Sequence, residues 1–350
     1  MVVGKLLIGL IKFMKKILLI SDAWLPQVNG VVTTLTNLTF HVKKNGHKVY
    51  VFHPLRCRIN FPMPFYNEIR IGLVTSARAK KLLTTISWDH VHIATAEGVL
   101  GSTFARACRS LNLPFSTSCH TKFPEFIHAK FPLFSVKFGW KMMRHLYRDS
   151  TNILTTTPSM KQELINKGFK QQIHTWTRGV DREIFTGKRV NKIGTLPILL
   201  YVGRVSAEKN LEEFFNLDIG RKVRKICVGD GPFLQKYKQT FPHVEFVGVK
   251  KGKELASYYQ MADVFVFPSK TDTFGVVMLE SMACGTPIAA FPVTGPIDVV
   301  ENNVNGYLSN DLKLATLMCL DIDRKLVRGS SLKWTWETCY RQFMDILLPI

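Results

Sequence analysis

The sequence predicts an α/β protein built from two doubly wound, Rossmann-like domains that face each other across a cleft. Strand and helix patterns alternate along the chain, and the alternation occurs twice. A length of 350 residues suits two domains of ordinary size. Hydrophobic residues make up 46% and charged residues 21%, which excludes a disordered or fibrous chain.

In the first half, short apolar runs predict strands and the longer segments between them predict helices. Alternation of this kind is typical of a parallel sheet covered on both faces. The predicted strands are residues 17–20, 49–52, 91–94, 115–119 and 152–155, and the predicted helices are residues 31–44, 100–110, 134–148 and 159–167.

The second half repeats this pattern after a junction at residues 187–197. Its predicted strands are residues 198–202, 225–228, 244–247, 264–267 and 288–291. We therefore expect a first domain over residues 14–187 and a second over residues 188–332, with residues 333–350 as a final helix that packs back on the first domain. In such sheets ligands bind beyond the carboxyl ends of the strands, here in the cleft.

Residues 1–13 precede Met14, which has the look of a natural start before a first strand. Three interpretations remain: an extension upstream of the natural start, an interfacial membrane anchor, or part of the fold. The apolar stretch at residues 6–11 is too short to span a bilayer. Lysines interrupt it and no small-residue cleavage site follows, so we do not expect a signal peptide.

The seven cysteines are scattered and form no C-x-x-C, which argues against a disulfide framework or a zinc site and for a reducing cytoplasm. Of the net charge of +21, the first 192 residues carry +20, from 29 basic and 9 acidic residues. Such a field attracts nucleic acid, an anionic membrane or an acidic substrate.

Residues 271–287, TDTFGVVMLESMACGTP, carry the strongest chemical signal. A buried strand leads into the loop of Asp272 and Thr273-Phe274-Gly275, and a helix starting near Val276 bears Glu280. A helix start holds phosphate, but a carboxylate would repel it. Two acids therefore indicate hydroxyl recognition on either side of a phosphate, as in a nucleotide sugar. The alternative is an ordinary strand–loop–helix whose acids serve the helix dipole.

Two loops after first-half strands are further candidates. Asn29-Gly30 can bring backbone close to a ligand at a helix start, or can be a simple turn. His120 follows a strand and is expected to face the cleft, although a lone histidine is often structural. Its neighbour Cys119 then points to the opposite side, into the core.

The loop after the first strand of the second half carries Arg204 and Lys209, which can clamp a diphosphate without a metal. The alternative is a solvated pair at a helix entrance. Asp321-Ile322-Asp323 is similar to the D-x-D of metal-dependent glycosyltransferases. It lies in a polar, helical segment, so we expect a solvated face and no metal.

Together these residues resemble the retaining glycosyltransferases of the GT-B fold, specifically glycosyltransferase family 4, over nearly the whole chain from Met14. The markers are Asn29-Gly30-Val31, His120-Thr121, Arg178-Gly179-Val180-Asp181, Gly203-Arg204 with Lys209, residues 268–287, and Trp334-Thr335-Trp336-Glu337.

The resemblance implies that Arg204 and Lys209 hold the donor diphosphate, helped by backbone at Phe274, Gly275 and Val276. It implies no metal and no cofactor beyond the nucleotide-sugar substrate.

By the same resemblance Glu280 takes ribose hydroxyls, Asp272 takes sugar hydroxyls, His120 sits against the donor sugar and Gly30 lets backbone approach the diphosphate. Asp272 departs from the family, which usually has glutamate there. The shorter side chain puts the reach to the sugar, or the sugar's identity, in question.

Retention in the family is usually drawn without a protein nucleophile: the acceptor hydroxyl attacks the face that the diphosphate leaves, and the leaving phosphate helps to take its proton. The cations and the helix start then meet the transition-state charge. The resemblance favours GDP-mannose as donor without excluding a UDP-sugar.

The acceptor side is expected in the first domain. Residues 122–148 interleave aromatic and basic side chains, which is typical of a membrane-surface helix, although a core helix with a solvated basic edge fits too. We expect a lipid or glycan acceptor and a cytoplasmic protein held peripherally at the inner, anionic membrane face. The aromatic members are Phe123, Phe126, Phe131, Phe134, Phe138, Trp140 and Tyr147, and the basic members are Lys122, Lys130, Lys137, Lys141, Arg144 and Arg148.

Two other functions stay open at this point. Nucleotide-sugar 2-epimerases share the fold and hydrolyse their donor, but would not need an aromatic and basic acceptor face. A nucleic-acid-binding protein is suggested by charge alone. It would leave the paired acids unexplained, so we expect no nucleic-acid partner.

Overall fold

The computed structural model describes residues 14–63, 66–190 and 194–347. The expectations for residues 1–13 therefore lie outside the described residues. No helix in the described ranges is both long and apolar enough to cross a membrane.

The first sheet has six parallel strands in the order β2-β1-β5-β6-β7-β8. In β1, Leu18 and Ile20 pack into the core on one face of the sheet, whereas Ile17 and Leu19 pack into the core on the other. Burial on both faces explains the continuous apolar runs of the sequence. The strands are Lys16–Ile20 (β1), Lys48–Phe52 (β2), His90–Ile93 (β5), Ser116–Cys119 (β6), Asn152–Thr155 (β7) and Gln172–Thr175 (β8). An antiparallel hairpin, Ile59–Met63 (β3) and Tyr66–Leu73 (β4), lies between β2 and β5.

The second sheet is also parallel, in the order β11-β10-β9-β12-β13-β14. Its strands are Ile198–Val202 (β9), Arg224–Val228 (β10), Val244–Gly248 (β11), Val264–Phe267 (β12), Ile288–Ala290 (β13) and Gly306–Leu308 (β14). Two parallel sheets confirm the predicted fold class of two Rossmann-like units.

Helices cover both sheets. Around the first sheet lie Gly30–Lys44 (α1), Ser76–Thr85 (α2), Val99–Ser110 (α3), Phe123–Lys130 (α4), Val136–Tyr147 (α5) and Pro158–Asn166 (α6). In the rest of the chain lie Leu211–Phe215 (α7), Leu234–Thr240 (α8), Gly252–Met261 (α9), Val276–Ala283 (α10), Pro296–Val299 (α11), Leu312–Cys319 (α12), Arg324–Ser330 (α13) and Trp336–Ile346 (α14).

The last helix, α14, packs against the first sheet. Trp176 donates its indole N–H to the carbonyl of Cys339 at 2.9 Å, and Thr177 bonds to the side chain of Gln342. Phe343 is 1% exposed and meets the ring of His92 edge-on at 5.1 Å. Backbone also comes close, since a Cβ at Gly179 would meet the nitrogen of Trp336 at 2.2 Å. The chain thus ends on the sheet with which it began.

Residues 122–148 form two helices, not one. Phe131 ends α4 ahead of Pro132, because the residue before a proline avoids the helical conformation. Ser135 then caps α5 by accepting from the N–H of Phe138. The helix predicted at residues 134–148 corresponds to α5, whereas the single membrane-surface helix predicted over residues 122–148 is wrong, because α4 is a separate helix.

Candidate active site

The loop after β12 reaches the start of α10 through Gly275. This residue has φ +85°, a left-handed conformation that suits glycine, and an added Cβ would lie 3.0 Å from the Phe267 ring. The helix receives no side-chain cap. The N–H of Met278 bonds to the carbonyl of Gly275 at 2.9 Å, so the N–H groups of Val276 and Val277 are the ones available to an anion. Phe274 is buried beneath the loop and packs edge-on against Trp334.

A second helix start faces the first from the other sheet. Gly30 begins α1, and a Cβ placed on it would lie 3.7 Å from Cγ2 of Val276. Asn29 caps α1 by accepting from the N–H of Val32 at 2.9 Å. Two positive helix ends thus converge across the cleft, which is a favourable place for a diphosphate. An alanine at position 30 would have room here, so the protein's own packing does not demand glycine.

Lys209 and Asp272 form an ion pair at the mouth of this cleft. The Nζ atom of Lys209 lies 2.7 Å and 2.8 Å from the two carboxylate oxygens of Asp272. Arg204 lies half-buried on the same loop after β9, where its carbonyl accepts from the Tyr201 hydroxyl. The sequence assigned Lys209 and Asp272 to different parts of the donor, and the structure places them in direct contact.

Glu280 is half-buried on α10, where it accepts a hydrogen bond from the hydroxyl of Tyr259 at 2.9 Å. Burial raises the pKa of Glu280 to about 7, an effect that the Tyr259 hydrogen bond partly offsets. The carboxylate is therefore held in a site where a further hydroxyl donor, such as that of a ribose, would stabilise its charged form.

His120 sits just beyond β6, at the carboxyl end of the first sheet, and is 7% exposed. Its Nδ1 accepts from the guanidinium of Arg178 at 3.0 Å, so the ring proton is on Nε2. Burial and the neighbouring Arg178 hold the pKa of His120 well below its usual value. Nε2 is buried without a partner, which leaves one N–H donor for a ligand.

Arg178 is a candidate site residue to which sequence reasoning gave no role. It is 2% exposed, lies over the Trp176 ring at 4.5 Å, and donates to the carbonyls of Trp176 and Thr177. A buried cation that bonds to neutral groups leaves a positive potential beside His120. The Arg178-Gly179-Val180-Asp181 motif was its only signal in the sequence.

Hydrogen bonds join the α10 loop to the first sheet. Thr273 donates from its hydroxyl to the carbonyl of His120 at 2.5 Å, and its own carbonyl accepts from the Thr156 hydroxyl at 2.6 Å. These bonds place His120, Gly30 and the start of α10 around one point.

Two acids at the carboxyl ends of β1 and β5 were also missed by the sequence reasoning. Asp22 accepts from the N–H groups of Leu100 and Gly101 at the start of α3, and burial raises its pKa. Glu97 accepts from the Tyr147 hydroxyl at 2.7 Å, and burial raises its pKa to about 7.

Cys119 is 1% exposed and lies in the core of the first sheet, as predicted. Asp321 and Asp323 lie in the turn between α12 and α13, so the helical segment predicted there is wrong. Asp323 is the N-cap of α13 and accepts from the N–H of Lys325. Within the described ranges, no group of three or more metal-ligating side chains is arranged to hold an ion.

Two family models match the chain. Residues 28–184 match Glycosyltransferase Family 4 and residues 196–318 match Glycosyl transferases group 1. Two Rossmann-like sheets with facing helix starts are the architecture of the GT-B fold, and the two family models give the class, glycosyltransferase. The chain belongs to the glycosyltransferases of family 4 and group 1, and it is an enzyme.

Curated relatives agree. The chain is 28% identical over 317 residues to a GDP-mannose-dependent alpha-mannosyltransferase of Mycobacterium tuberculosis, covering 84% of this chain and 83% of the relative. It is 26% identical over 311 residues to an alpha-monoglucosyldiacylglycerol synthase of Streptococcus pneumoniae, covering 78% of this chain and 70% of the relative.

A solved structure confirms the fold. The sucrose-phosphate synthase of Thermosynechococcus elongatus superposes with a TM-score of 0.75 at 19% identity, covering 95% of this chain and 98% of that one.

Proposed function

We propose that the protein transfers a hexose from a nucleotide-diphosphate sugar, GDP-mannose before a UDP-sugar, to a lipid acceptor with retention of configuration. The observation that carries this proposal is the meeting of α1 and α10 around a point lined by His120, Lys209 and Asp272. A diphosphate at that point would be met by two helix starts and by cations. The relatives' donor and lipid products favour mannose and a lipid.

The residues of the donor site contact different parts of the nucleotide sugar in this proposal. Arg204, Lys209 and the first turn of α10 meet the charge of the diphosphate as it leaves, while Glu280 accepts from the ribose hydroxyls. Binding of the diphosphate draws Lys209 from its contact with Asp272, and Asp272 then accepts from a sugar hydroxyl. The protein thus exchanges one ion pair for another, and little extra charge has to be desolvated.

At the sugar, the Nε2–H of His120 donates to a hydroxyl or to the ring oxygen of the donor, because no described residue bonds to this nitrogen. The acceptor hydroxyl attacks the anomeric carbon from the face that the diphosphate leaves. The C–O bond to phosphate breaks as the new glycosidic bond forms, and the acceptor proton passes to the leaving phosphate oxygen. No protein nucleophile and no metal is required in this scheme.

The acceptor reaches the cleft from a membrane surface in this proposal. Around the break between α4 and α5, Phe131 is 61% exposed, Leu133 is fully exposed and Phe138 is 59% exposed. Lys137 and Lys141 are exposed beside them. Apolar tips flanked by lysines suit insertion into an anionic leaflet. We therefore propose peripheral attachment through this surface, which we call the α4–α5 tip (residues 131–141).

Other members of the predicted aromatic and basic set do not reach that surface. Trp140 and Tyr147 are buried in the core of the first sheet. Lys122 pairs with Glu163 at 2.7 Å, and Arg144 donates to the carbonyl of Lys167. The attachment surface is therefore smaller than residues 122–148.

A donor screen tests the function. The protein is incubated with each common nucleotide sugar, with and without a membrane lipid extract, and release of free nucleotide is measured. We expect GDP release from GDP-mannose that the lipid extract stimulates. Release that lipid does not change would indicate hydrolysis, as in the 2-epimerases, and absence of release from any donor would refute the proposal.

A further inference from the structure

Arg178 is a buried cation whose hydrogen-bond partners are all neutral. Its guanidinium donates to the carbonyls of Trp176 and Thr177 at 2.6 Å and 2.9 Å, and to Nδ1 of His120 at 3.0 Å. The side chain is 2% exposed, and among the described residues no carboxylate forms an ion pair with it. Burial of a cation without a counter-ion costs free energy, and burial accordingly lowers the pKa of Arg178 to about 10. Packing therefore does not explain why a guanidinium occupies this position.

The final helix holds Arg178 in place. The guanidinium lies over the indole of Trp176, 4.5 Å from the ring centroid, and Trp176 is fully buried. The indole N–H donates to the carbonyl of Cys339 on α14 at 2.9 Å. At the next residue of the chain, a Cβ on Gly179 would lie 2.2 Å from the backbone nitrogen of Trp336. The ring stack, the hydrogen bond and the backbone contact together leave the guanidinium little freedom to move.

This fixed donor determines which nitrogen of His120 carries the proton. Nδ1 accepts from Arg178, which has no acceptor atom, so a neutral ring carries its proton on Nε2. The other titratable group that faces the ring is His92 of β5, whose two nitrogens bond to the hydroxyls of Ser116 and Ser118. Burial holds the pKa of His92 well below its usual value, so His92 is neutral. Within the described part of the chain, Arg178 is therefore the charged group that faces His120.

His120 is held at its backbone as well as at its ring. Its carbonyl accepts from the hydroxyl of Thr273, in the loop that leads to α10, at 2.5 Å. Its ring is held at Nδ1 by Arg178. Nε2, on the far side of the ring, is buried, and no described residue bonds to it. These contacts fix both the position of the ring and the direction of its Nε2–H.

We propose that Arg178 is a positioning residue for the transfer reaction, which holds His120 in the tautomer and orientation in which Nε2–H donates to the donor sugar. This inference rests on the proposed glycosyl transfer. A ring with its proton on Nδ1 would turn a bare nitrogen toward the sugar and lose that hydrogen bond. Arg178 lies on the Nδ1 side of the ring and acts on the sugar only through His120.

A double-mutant cycle between Arg178 and His120 tests the proposal. The kcat and the KM for the donor are measured for Arg178→Met, His120→Ala and the double variant, with whichever nucleotide sugar the wild-type protein turns over. We expect Arg178→Met to lower kcat by about tenfold or more and to change KM less than about twofold, because the residues that bind the diphosphate are intact. In the His120→Ala background the same substitution should change kcat less than about twofold, since the ring on which Arg178 acts is gone.

Arg324→Met is the matched control. Arg324 also has a guanidinium that donates to backbone carbonyls, those of Ala262, Gln260 and Cys284, and burial lowers its pKa to about 10. It lies at the amino ends of β12 and β13, at the opposite end of the sheet from the donor loop. Both methionine variants should lose stability, whereas kcat of Arg324→Met should stay within about twofold of the wild-type value.

Arg178→Lys guards against a variant that does not fold. It keeps a cation and a donor for Nδ1, so it should lower kcat less than Arg178→Met does. If Arg178→Met does not fold, Arg178→Lys is carried through the same cycle, and it should have no further effect in the His120→Ala background. Circular dichroism and the affinity for GDP show that each variant is folded at its donor site.

The tautomer is observed directly by NMR of the imidazole nitrogens, with the His120 signal assigned by its absence from His120→Ala. We expect the wild-type ring to show only the Nε2–H tautomer and not to titrate down to about pH 5.5. Cys339, beside Arg178, stays neutral over this range because burial raises its pKa to about 11. In Arg178→Met no donor holds Nδ1 and the repulsion by the guanidinium is removed. Both tautomers should then appear, and the ring should titrate at a higher pH than in the wild-type protein.

An equal loss of kcat from Arg178→Met in the two backgrounds would overturn the inference. A raised KM with unchanged kcat would also overturn it, because it would indicate that Arg178 contacts the diphosphate directly. A protein that turns over a donor but shows the same His120 tautomer with and without Arg178 refutes the inference alone. A tautomer that depends on Arg178, in a protein that turns over no donor, refutes the proposed function alone.

Discussion

At the scale of single residues, the site depends on groups whose charge is set by burial. Glu280 and Glu97 are both carboxyl groups whose pKa is raised to about 7. His120 is kept neutral by burial and by Arg178. Between pH 6 and 8 the two glutamates therefore change charge while His120 stays neutral. A change of activity with pH in this range would thus report on the glutamates and not on His120.

We predict that donor binding strengthens as the pH rises through 7, because only ionised Glu280 accepts fully from ribose hydroxyls. If the pKa of about 7 of Glu280 governs donor binding, the KM for the donor falls by roughly tenfold from pH 6 to pH 8. Glu280→Gln should lose this dependence, and Glu97→Gln should keep it. Initial-rate kinetics at five pH values measure both, and a flat wild-type profile would reject the role of Glu280.

Glu280→Gln should also change how the stability of the folded protein depends on pH. The pKa of Glu280 is raised on folding from 4.5 to about 7, so the folded state binds more protons than the unfolded state between these values. The wild-type protein therefore loses stability relative to Glu280→Gln as the pH rises through this window. We expect Glu280→Gln to raise Tm more at pH 8 than at pH 5.

Lys209→Ala is predicted to lower kcat/KM by tenfold or more, about 1.4 kcal/mol of transition-state stabilisation, through loss of the diphosphate contact. Its Tm should change little, because the two side chains of this ion pair still reach solvent, at 20% and 22% exposure, and a solvated ion pair contributes about 0–1 kcal/mol. Arg224→Ala is the control, since it removes another ion pair, to Glu245, at the opposite end of the second sheet. Equal loss of activity in both variants would contradict a specific role for Lys209.

At the scale of elements, the sequence predicts those whose burial pattern is strong. The strands β1, β9 and β12 contain continuous apolar runs, and they were predicted within a residue of their bounds. The polar strand β6, Ser-Thr-Ser-Cys, was predicted as part of residues 115–119. The strands β8 and β14 were missed because Gln172–Thr175 is half-polar and Gly306–Leu308 has only three residues. The β3–β4 hairpin was missed because Pro62 breaks the strand signal.

The contacts that complete the site could not be predicted from local pattern. The pair Lys209–Asp272 spans 63 residues of sequence, Arg178–His120 spans 58, and Thr273–His120 spans 153. The first two pairs each join two loops at the carboxyl end of one sheet, and the third joins the two sheets across the cleft. Residue type and loop position therefore indicated the candidates, whereas their partners depended on the tertiary arrangement.

The helix α14 is predicted to stabilise the first sheet through Phe343, which packs between His92 and Trp176. Phe343→Ala should lower the free energy of unfolding by about 3–5 kcal/mol, as expected for a large buried ring that leaves a cavity. Urea denaturation followed by circular dichroism measures the change. Arg341→Ala on the exposed face of the same helix is the control, with an expected change within about 0.5 kcal/mol.

At the scale of the whole molecule, the cleft is held closed by polar contacts between the two halves. Lys122 bridges Glu163 and the hydroxyl of Thr294, and Ser159 bonds to Asp298. These contacts add to the buried bonds of Thr273 with His120 and Thr156, so opening of the cleft requires polar contacts to break.

The charge distribution leads to a prediction for the membrane. With +20 on the first 192 residues, the protein should bind vesicles of phosphatidylglycerol, and binding should fall as salt is raised, because screening acts over about 8–10 Å at physiological ionic strength. Lys137→Glu with Lys141→Glu in the α4–α5 tip should weaken binding more than Lys236→Glu with Lys238→Glu, an equal charge reversal on α8 of the second half.

Substitution of the apolar residues of the α4–α5 tip distinguishes insertion into the membrane from electrostatic attraction to its surface. Leu133→Ser with Phe138→Ser keeps the charge, and it should lower vesicle binding severalfold even at high salt, since buried apolar area is lost. Phe40→Ser, an exposed phenylalanine on α1, is the matched control. Co-sedimentation with vesicles at two salt concentrations measures all variants. If the tip variants and their controls bind alike while a protein starting at Met14 no longer binds, attachment lies in residues 1–13 and not in the tip.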